Sequence, residues 1–134
     1  MTCYMLDTNI VSHLLKGHAV VAQRVAAVPM SSLCISAVTA GELHFGLAKR
    51  PDARRLHAAV TELFRRVDTL PWDSAVAETY GHLRTSLESR GRVLGALDMM
   101  IAAHALHGRA VLVSNDRALS QVRGLPVEDW TVSA

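Results

Sequence analysis

Apolar runs of three or four residues, each stopped by an acid or a polar turn, alternate in this chain with longer stretches whose apolar residues recur at helical spacing. Runs that short cannot span a membrane. Alternation of strand and helix predicts a parallel sheet covered by helices on both faces, an α/β fold.

The first run, Cys3–Leu6, ends at Asp7-Thr8-Asn9. A helical pattern follows through Ile10, Val11, Leu14 and Leu15, with Gly17 as its C′ residue. A second helix is expected over Val20–Val28, closed by Pro29, and a second strand at Leu33–Ile35, which passes through Ser36-Ala37-Val38-Thr39 into a helix carrying Glu42. Leu56, Ala59, Val60, Leu63, Phe64 and Val67 trace an amphipathic helix beyond Pro51. Asp68–Leu70 reads as a third strand, and Asp73 or Ser74 caps a helix that Gly91 ends. Gly95 opens a helix through Leu106 that is apolar nearly all round and therefore buried. Ala110–Val113 is the fourth strand, ending at Ser114-Asn115-Asp116, and a last short strand is expected near Val127 or Trp130. With 134 residues, the chain 1–134 supports one core and is expected to be one domain.

In open parallel sheets the strand-to-helix turns, and the ligands, gather at the carboxyl ends of the strands. Asp7 follows strand one and Asp116 follows strand four, while Glu42 and Asp98 fall in early turns of their helices. All four acids are thus expected on one edge. Two such charges about 5 Å apart repel by roughly 3 kcal/mol at an effective dielectric near 20. Either some carry protons or a cation neutralises them. Hard oxygen ligands without cysteine favour Mg²⁺ or Mn²⁺ over zinc, and such an ion suits hydrolysis of a phosphodiester. Each acid also has a plainer reading. Thr39 and Glu42 fit a capping box, Asp98 complements a helix dipole, and Asp7 and Asp116 are good turn formers.

The net charge of +2 conceals an asymmetry, since setting those four acids aside leaves 14 basic against 8 acidic groups, a net +6. A basic shell around an acidic pocket suits a polyanion steered to a metal. Arg50, Arg54, Arg90, Arg92 and Arg117 are the candidate phosphate contacts. Cys3 and Cys34 read as buried reduced thiols. His104 and His107, though at i, i+3, make a weaker metal site than the carboxylates. No aromatic ladder for base stacking is visible. Because Asp7 interrupts the first apolar stretch before a signal sequence can form, a cytoplasmic protein is expected, with no membrane association.

Met5-Leu6-Asp7-Thr8-Asn9 resembles the opening motif of the PIN-domain family, in particular its VapC toxins. The stretch from Ile35-Ser36 through Gly41-Glu42-Leu43-His44-Phe45-Gly46 is similar to the second acidic motif, Gly95–Ala102 to the third, and Val113-Ser114-Asn115-Asp116 to the fourth. The ending from Val122 to Trp130 resembles the tail of enteric-type VapC proteins. The resemblance implies a three-layer α/β/α sandwich and a Mg²⁺-dependent endoribonuclease toxin that acts on RNA, a tRNA such as initiator tRNA, and so inhibits translation. It further implies a VapB-like antitoxin, a homodimer within the toxin–antitoxin complex, and operator DNA bound only through the antitoxin. By the family pattern Asp7, Asp98 and Asp116 bind metal, Glu42 assists, and Thr8, Asn9, Ser114 and Asn115 orient carboxylates or touch phosphate. Some relatives carry Asn where this chain has Asp116, and after Asp116 an aromatic common in relatives is replaced by Arg117-Ala118-Leu119. Two alternatives keep the acidic pocket. One is a DNA or flap nuclease, and the other a non-catalytic module that binds an arginine-bearing partner.

Overall fold

The computed structural model describes residues 2–133. Five strands, β1 (Tyr4–Leu6), β2 (Leu33–Ser36), β3 (Asp68–Leu70), β4 (Val111–Val113) and β5 (Val127–Glu128), form one sheet in the order β3-β2-β1-β4-β5. Every pairing is parallel, with Tyr4 opposite both Leu33 and Val111, and Met5 opposite both Cys34 and Leu112. Six helices connect and cover them: α1 (Thr8–Leu15), α2 (Ala19–Ala26), α3 (Ala37–Lys49), α4 (Arg54–Arg66), α5 (Ser74–Ser89) and α6 (Ala96–His107).

The two-residue period of the strands divides the interior into two cores. Met5, Cys34 and Leu112 face one side, where they meet Leu83 and Leu87 of α5 and Met99, Ile101, Ala102 and Ala105 of α6. Leu6, Ile35 and Val113 face the other, against Ile10 and Val11 of α1, Val21 of α2, Leu43 of α3, and Val60 and Leu63 of α4. The α/β/α layering is therefore present. Both faces of β1 are buried, which is why its sequence is an unbroken apolar run. The exposed Asp68 and Thr69 of β3 suit an edge strand instead. α6, sandwiched between the sheet and α5, is buried along most of its length, as its all-round apolarity predicts.

Differences from the sequence reading are local. Gly17 and Gly91 end α1 and α5 in the left-handed conformation, as expected, but α2 stops at Ala26, two residues short of Val28. Residues Arg117–Gln121 form a 3₁₀ helix that no periodicity announced, being too short to show one. The last strand lies at Val127, whereas Trp130 is a buried plug whose ring meets Tyr4 at 5.2 Å. Cys3 and Cys34 are free thiols side by side, their Sγ atoms 3.1 Å apart. Among the described residues no helix is long and apolar enough to cross a membrane.

Candidate active site

β1 delivers Asp7 to the carboxyl edge of the sheet, where its backbone N–H donates to Val113 O at 3.1 Å and so extends the β1–β4 ladder. Its carboxylate then caps α1, Oδ1 accepting from Ile10 N at 2.8 Å. The side chain is only 4% exposed. Burial pushes its pKa upward, against hydrogen bonds from the Ser114 hydroxyl and Ile10 N–H, while the charges of Asp98 and Asp116 push it further up.

Asp98 sits in the first turn of α6, half-buried. Its pKa is raised by burial first, then by the charge of Asp116 and a hydrogen-bond contact with that carboxyl, and lastly by Glu42. Asp116 follows β4 and caps the 3₁₀ helix through Oδ1, which accepts from Ala118 N at 2.9 Å. Its own N–H donates to Ser114 Oγ at 3.1 Å. Ser114 therefore stands between two of the acids, its hydroxyl favouring the charged form of Asp7 and its Oγ accepting from the backbone N–H of Asp116.

The turn-former reading of Asp7 and Asp116 is thus correct for Oδ1 of each. For Glu42 the capping-box reading fails. α3 is capped by Ser36, whose Oγ accepts from Val38 N at 3.1 Å. Thr39 is buried inside the first turn, where its hydroxyl takes a hydrogen bond from Thr8 at 3.2 Å. Glu42 stands a turn further along, half-buried and free of any capping duty.

Asp7, Thr8, Asn9, Glu42 and Asp98 line an open cleft of about 350 Å³, completed by Gly95, Ala96, Leu97 and Ile101. Asp116 is not on the cleft wall but reaches it through Asp98. Asn115 is exposed and also off the wall. Among the described residues none of the four acids has a cationic partner, since the ion pairs lie elsewhere on Arg24, Arg65, Arg66 and Arg84. A site that gathers oxygen donors, takes them partly out of water and supplies no positive charge is short of a cation. The donor set fits a hard divalent ion. No three of the described His, Cys, Asp and Glu side chains close into a ready-made cage, so the acids share the cleft at longer range.

His104 and His107 do not converge on a ligand. His104 is buried against Ser36, with Nδ1 2.7 Å from Oγ, whereas His107 lies near Thr79. Of the arginine candidates, Arg54, Arg92 and Arg117 are exposed. Arg90 is half-buried and tied to Gln121 O at 3.0 Å, and Arg50 edges a second groove. That groove, about 340 Å³, has an apolar floor of Leu15, Leu43, Leu47, Leu56 and Val60 and a basic rim of Lys16, Lys49 and Arg50. It shares Thr8 and Glu42 with the acidic cleft, and no sequence pattern pointed to it.

Residues 4–125 match the PIN domain family. Over 132 residues the chain is 35% identical to the tRNA(fMet)-specific endonuclease VapC of Shigella flexneri, covering 98% of this chain and 100% of that protein. Its fold is similar to that in the DNA-bound VapBC structure from Salmonella typhimurium, with a TM-score of 0.89 and 32% identity over 97% of this chain and 99% of that one. The VapBC2 structure from Rickettsia felis, bound to a DNA fragment from its promoter, gives a TM-score of 0.88 and 26% identity over 96% and 99% of the two chains.

Proposed function

The chain belongs to the PIN-domain family, and from that membership we propose that it is a VapC-type toxin, a metal-dependent endoribonuclease restrained by a VapB-like antitoxin. The observation that carries the proposal is the cleft of carboxylates at the carboxyl edge of the sheet, uncompensated by any described cation.

In this reading Asp7, Asp98 and Asp116 hold Mg²⁺, for which Mn²⁺ substitutes, and water completes the coordination shell that the protein leaves open, as Mg²⁺ commonly requires. The bound ion supplies polarisation of a phosphoryl oxygen and a more acidic water. The protein's own contribution is placement. Ser114 stands between Asp7 and the backbone of Asp116, Thr39 steadies Thr8, and Glu42 lines the same cleft, where its carboxylate would accept the proton of an attacking water. Asn9, exposed on the cleft wall, is open to a phosphate, and Asn115, exposed beside Asp116 but off the wall, would orient that acid.

The unpaired Arg54, Arg92 and Arg117 draw RNA toward the cleft. A transfer RNA is the proposed substrate because the Shigella relative is named for one. The relatives' structures are VapBC complexes bound to DNA, which supports a reading in which this chain reaches operator DNA only through the antitoxin; a homodimer within that complex is part of the same proposal. The apolar groove with its basic rim suits an antitoxin segment of apolar residues flanked by acids.

Purified protein incubated with matched RNA and DNA hairpins in Mg²⁺ tests the proposal. Cleavage of RNA alone, lost in EDTA, is expected. Preference for DNA would make it a DNA or flap nuclease, and no metal binding at millimolar concentration would make it a binding module.

A further inference from the structure

A single buried hydrogen bond links the two helices that carry Glu42 and Asp98. Ser36, which caps α3, is fully buried, and its Oγ lies 2.7 Å from Nδ1 of His104 on α6, itself 3% exposed. The Ser36 oxygen already accepts from Val38 N–H, so its own proton is free to go to Nδ1. Burial lowers the His104 pKa against the opposing charge of Asp73, with a smaller lowering from His107, which favours the neutral ring; in the tautomer protonated at Nε2, Nδ1 accepts the Ser36 proton. Trp72, whose indole N–H donates to Met100 O at 3.0 Å, packs the adjoining loop against the same stretch of α6.

The spacing is matched. Glu42 lies six residues beyond Ser36 on α3, and Asp98 lies six residues before His104 on α6. Six residues of helix rise about 9 Å. The helices pack together, 36 beside 104 and 42 across the cleft from 98, so they run antiparallel with equal arms from the hydrogen bond to the acids. Slippage of one helix by a turn, about 5.4 Å, would remove Glu42 from the influence it exerts on Asp98.

We propose that the Ser36–His104 bond is a register pin, and that His104 is a positioning residue that holds Glu42 and Asp98 opposite one another for metal and substrate. The inference rests on the ribonuclease reading above. Apolar contacts between α3 and α6 resist separation of the helices but allow sliding, whereas a buried directional bond has one satisfied position.

His104→Leu keeps the volume and removes the bond. Ser36→Gly removes it from the other side, and glycine is tolerated at an N-cap. In His104→Asn the side-chain amide takes the place of Nδ1. Mn²⁺ binding to RNA-free protein is measured by electron paramagnetic resonance, beside kcat and KM on an RNA hairpin and the melting temperature. The expected result for His104→Leu and Ser36→Gly is folded protein with Mn²⁺ affinity and kcat each about tenfold lower and KM unchanged, and His104→Asn within about threefold of wild type. Folded variants that bind Mn²⁺ and turn over like wild type would overturn the pin. So would a loss that tracks melting temperature and is not rescued by asparagine. If His104→Leu does not fold, Ser36→Gly decides. A wild type that neither binds Mn²⁺ nor cleaves RNA overturns the ribonuclease reading and leaves the pin nothing to position.

Discussion

The acidic cleft and the apolar groove are nearly equal in volume, about 350 and 340 Å³, and both use Thr8 and Glu42, yet their chemistry is opposite. The cleft gathers carboxylates that repel one another and so needs a cation before it is comfortable. The groove exposes leucine and valine beneath a basic rim and needs a partner instead. The difference shows how one helix, α3, serves two binding tasks. Its residues near the sheet edge present Glu42 to the cleft, and the next turn presents Gly46, Leu47, Lys49 and Arg50 to the groove. An occupant of the groove would lie one helical turn from Glu42 and the acidic cleft.

The largest expected effect separates the two regions outright. Asp98→Asn should lower single-turnover RNA cleavage about 10³-fold, the scale of an interaction worth several kcal/mol, while leaving antitoxin capture intact. Retention of a substantial fraction of activity would remove Asp98 from the metal site. For Asp7 the informative change is also to asparagine, because Asp7→Ala would lose the α1 cap, at a cost of roughly 1 kcal/mol, together with the ligand.

The reciprocal experiment fills the groove. A side chain at Gly46 would meet open space, and replacing a mid-helix glycine stabilises by up to about 1 kcal/mol. Gly46→Gln should therefore weaken antitoxin binding about 10- to 100-fold in a titration, with free-toxin cleavage nearly unchanged. Unaltered antitoxin affinity would place that partner elsewhere.

Smaller effects are expected on the approach of RNA. Arg92→Ala or Arg117→Ala should raise KM a few-fold and reduce the slope of log KM against log salt by about one unit each, with kcat unchanged. No change in the salt slope would place these arginines off the RNA path.

The smallest effect is on stability. Asp7 and Asp98 have pKa values above the ordinary 3.8, so between that value and the raised one the folded protein binds more protons than the unfolded chain. Their contribution to stability therefore falls as pH rises through that window, and the penalty is full at neutral pH. The metal-free protein should melt a few degrees higher as Asp98→Asn, and its pH slope across that window should flatten in the variant. Millimolar Mg²⁺ should raise the wild-type melting temperature at pH 7 by binding the native state alone. A lower melting temperature for metal-free Asp98→Asn would show that the cleft is not strained by its charge.

The same contrast explains what was legible in the sequence. The edge position of Asp7 and Asp116 follows from their place after apolar strands, and Asp98 from its place after Gly95. These inferences needed only topology, and the structure puts Asp7 and Asp98 on one cleft with Asp116 beside Asp98 but off the wall. Glu42 was legible as an acid near that edge. Its freedom from capping was not, because nothing local chooses Ser36 over Thr39 as the start of α3. That choice follows from the burial of Ser36 against His104, a pairing across 68 positions with no local signature. The groove was hidden for a similar reason, since its walls come from α1, α3 and α4 and exist only once those helices pack. The 3₁₀ helix after Asp116 was too short to announce itself.

The position of β1 between β2 and β4 governs when the acidic cleft can form. Asp7 is made long before the residues that orient it, since its backbone N–H donates to Val113 and its carboxylate lies beside Ser114. A sheet whose central strand is N-terminal and whose neighbour is C-terminal cannot close early. A nascent or prematurely terminated chain therefore carries the opening acid without the residues that orient it. In the ribonuclease reading, the chain lacks an assembled site until synthesis has passed β4.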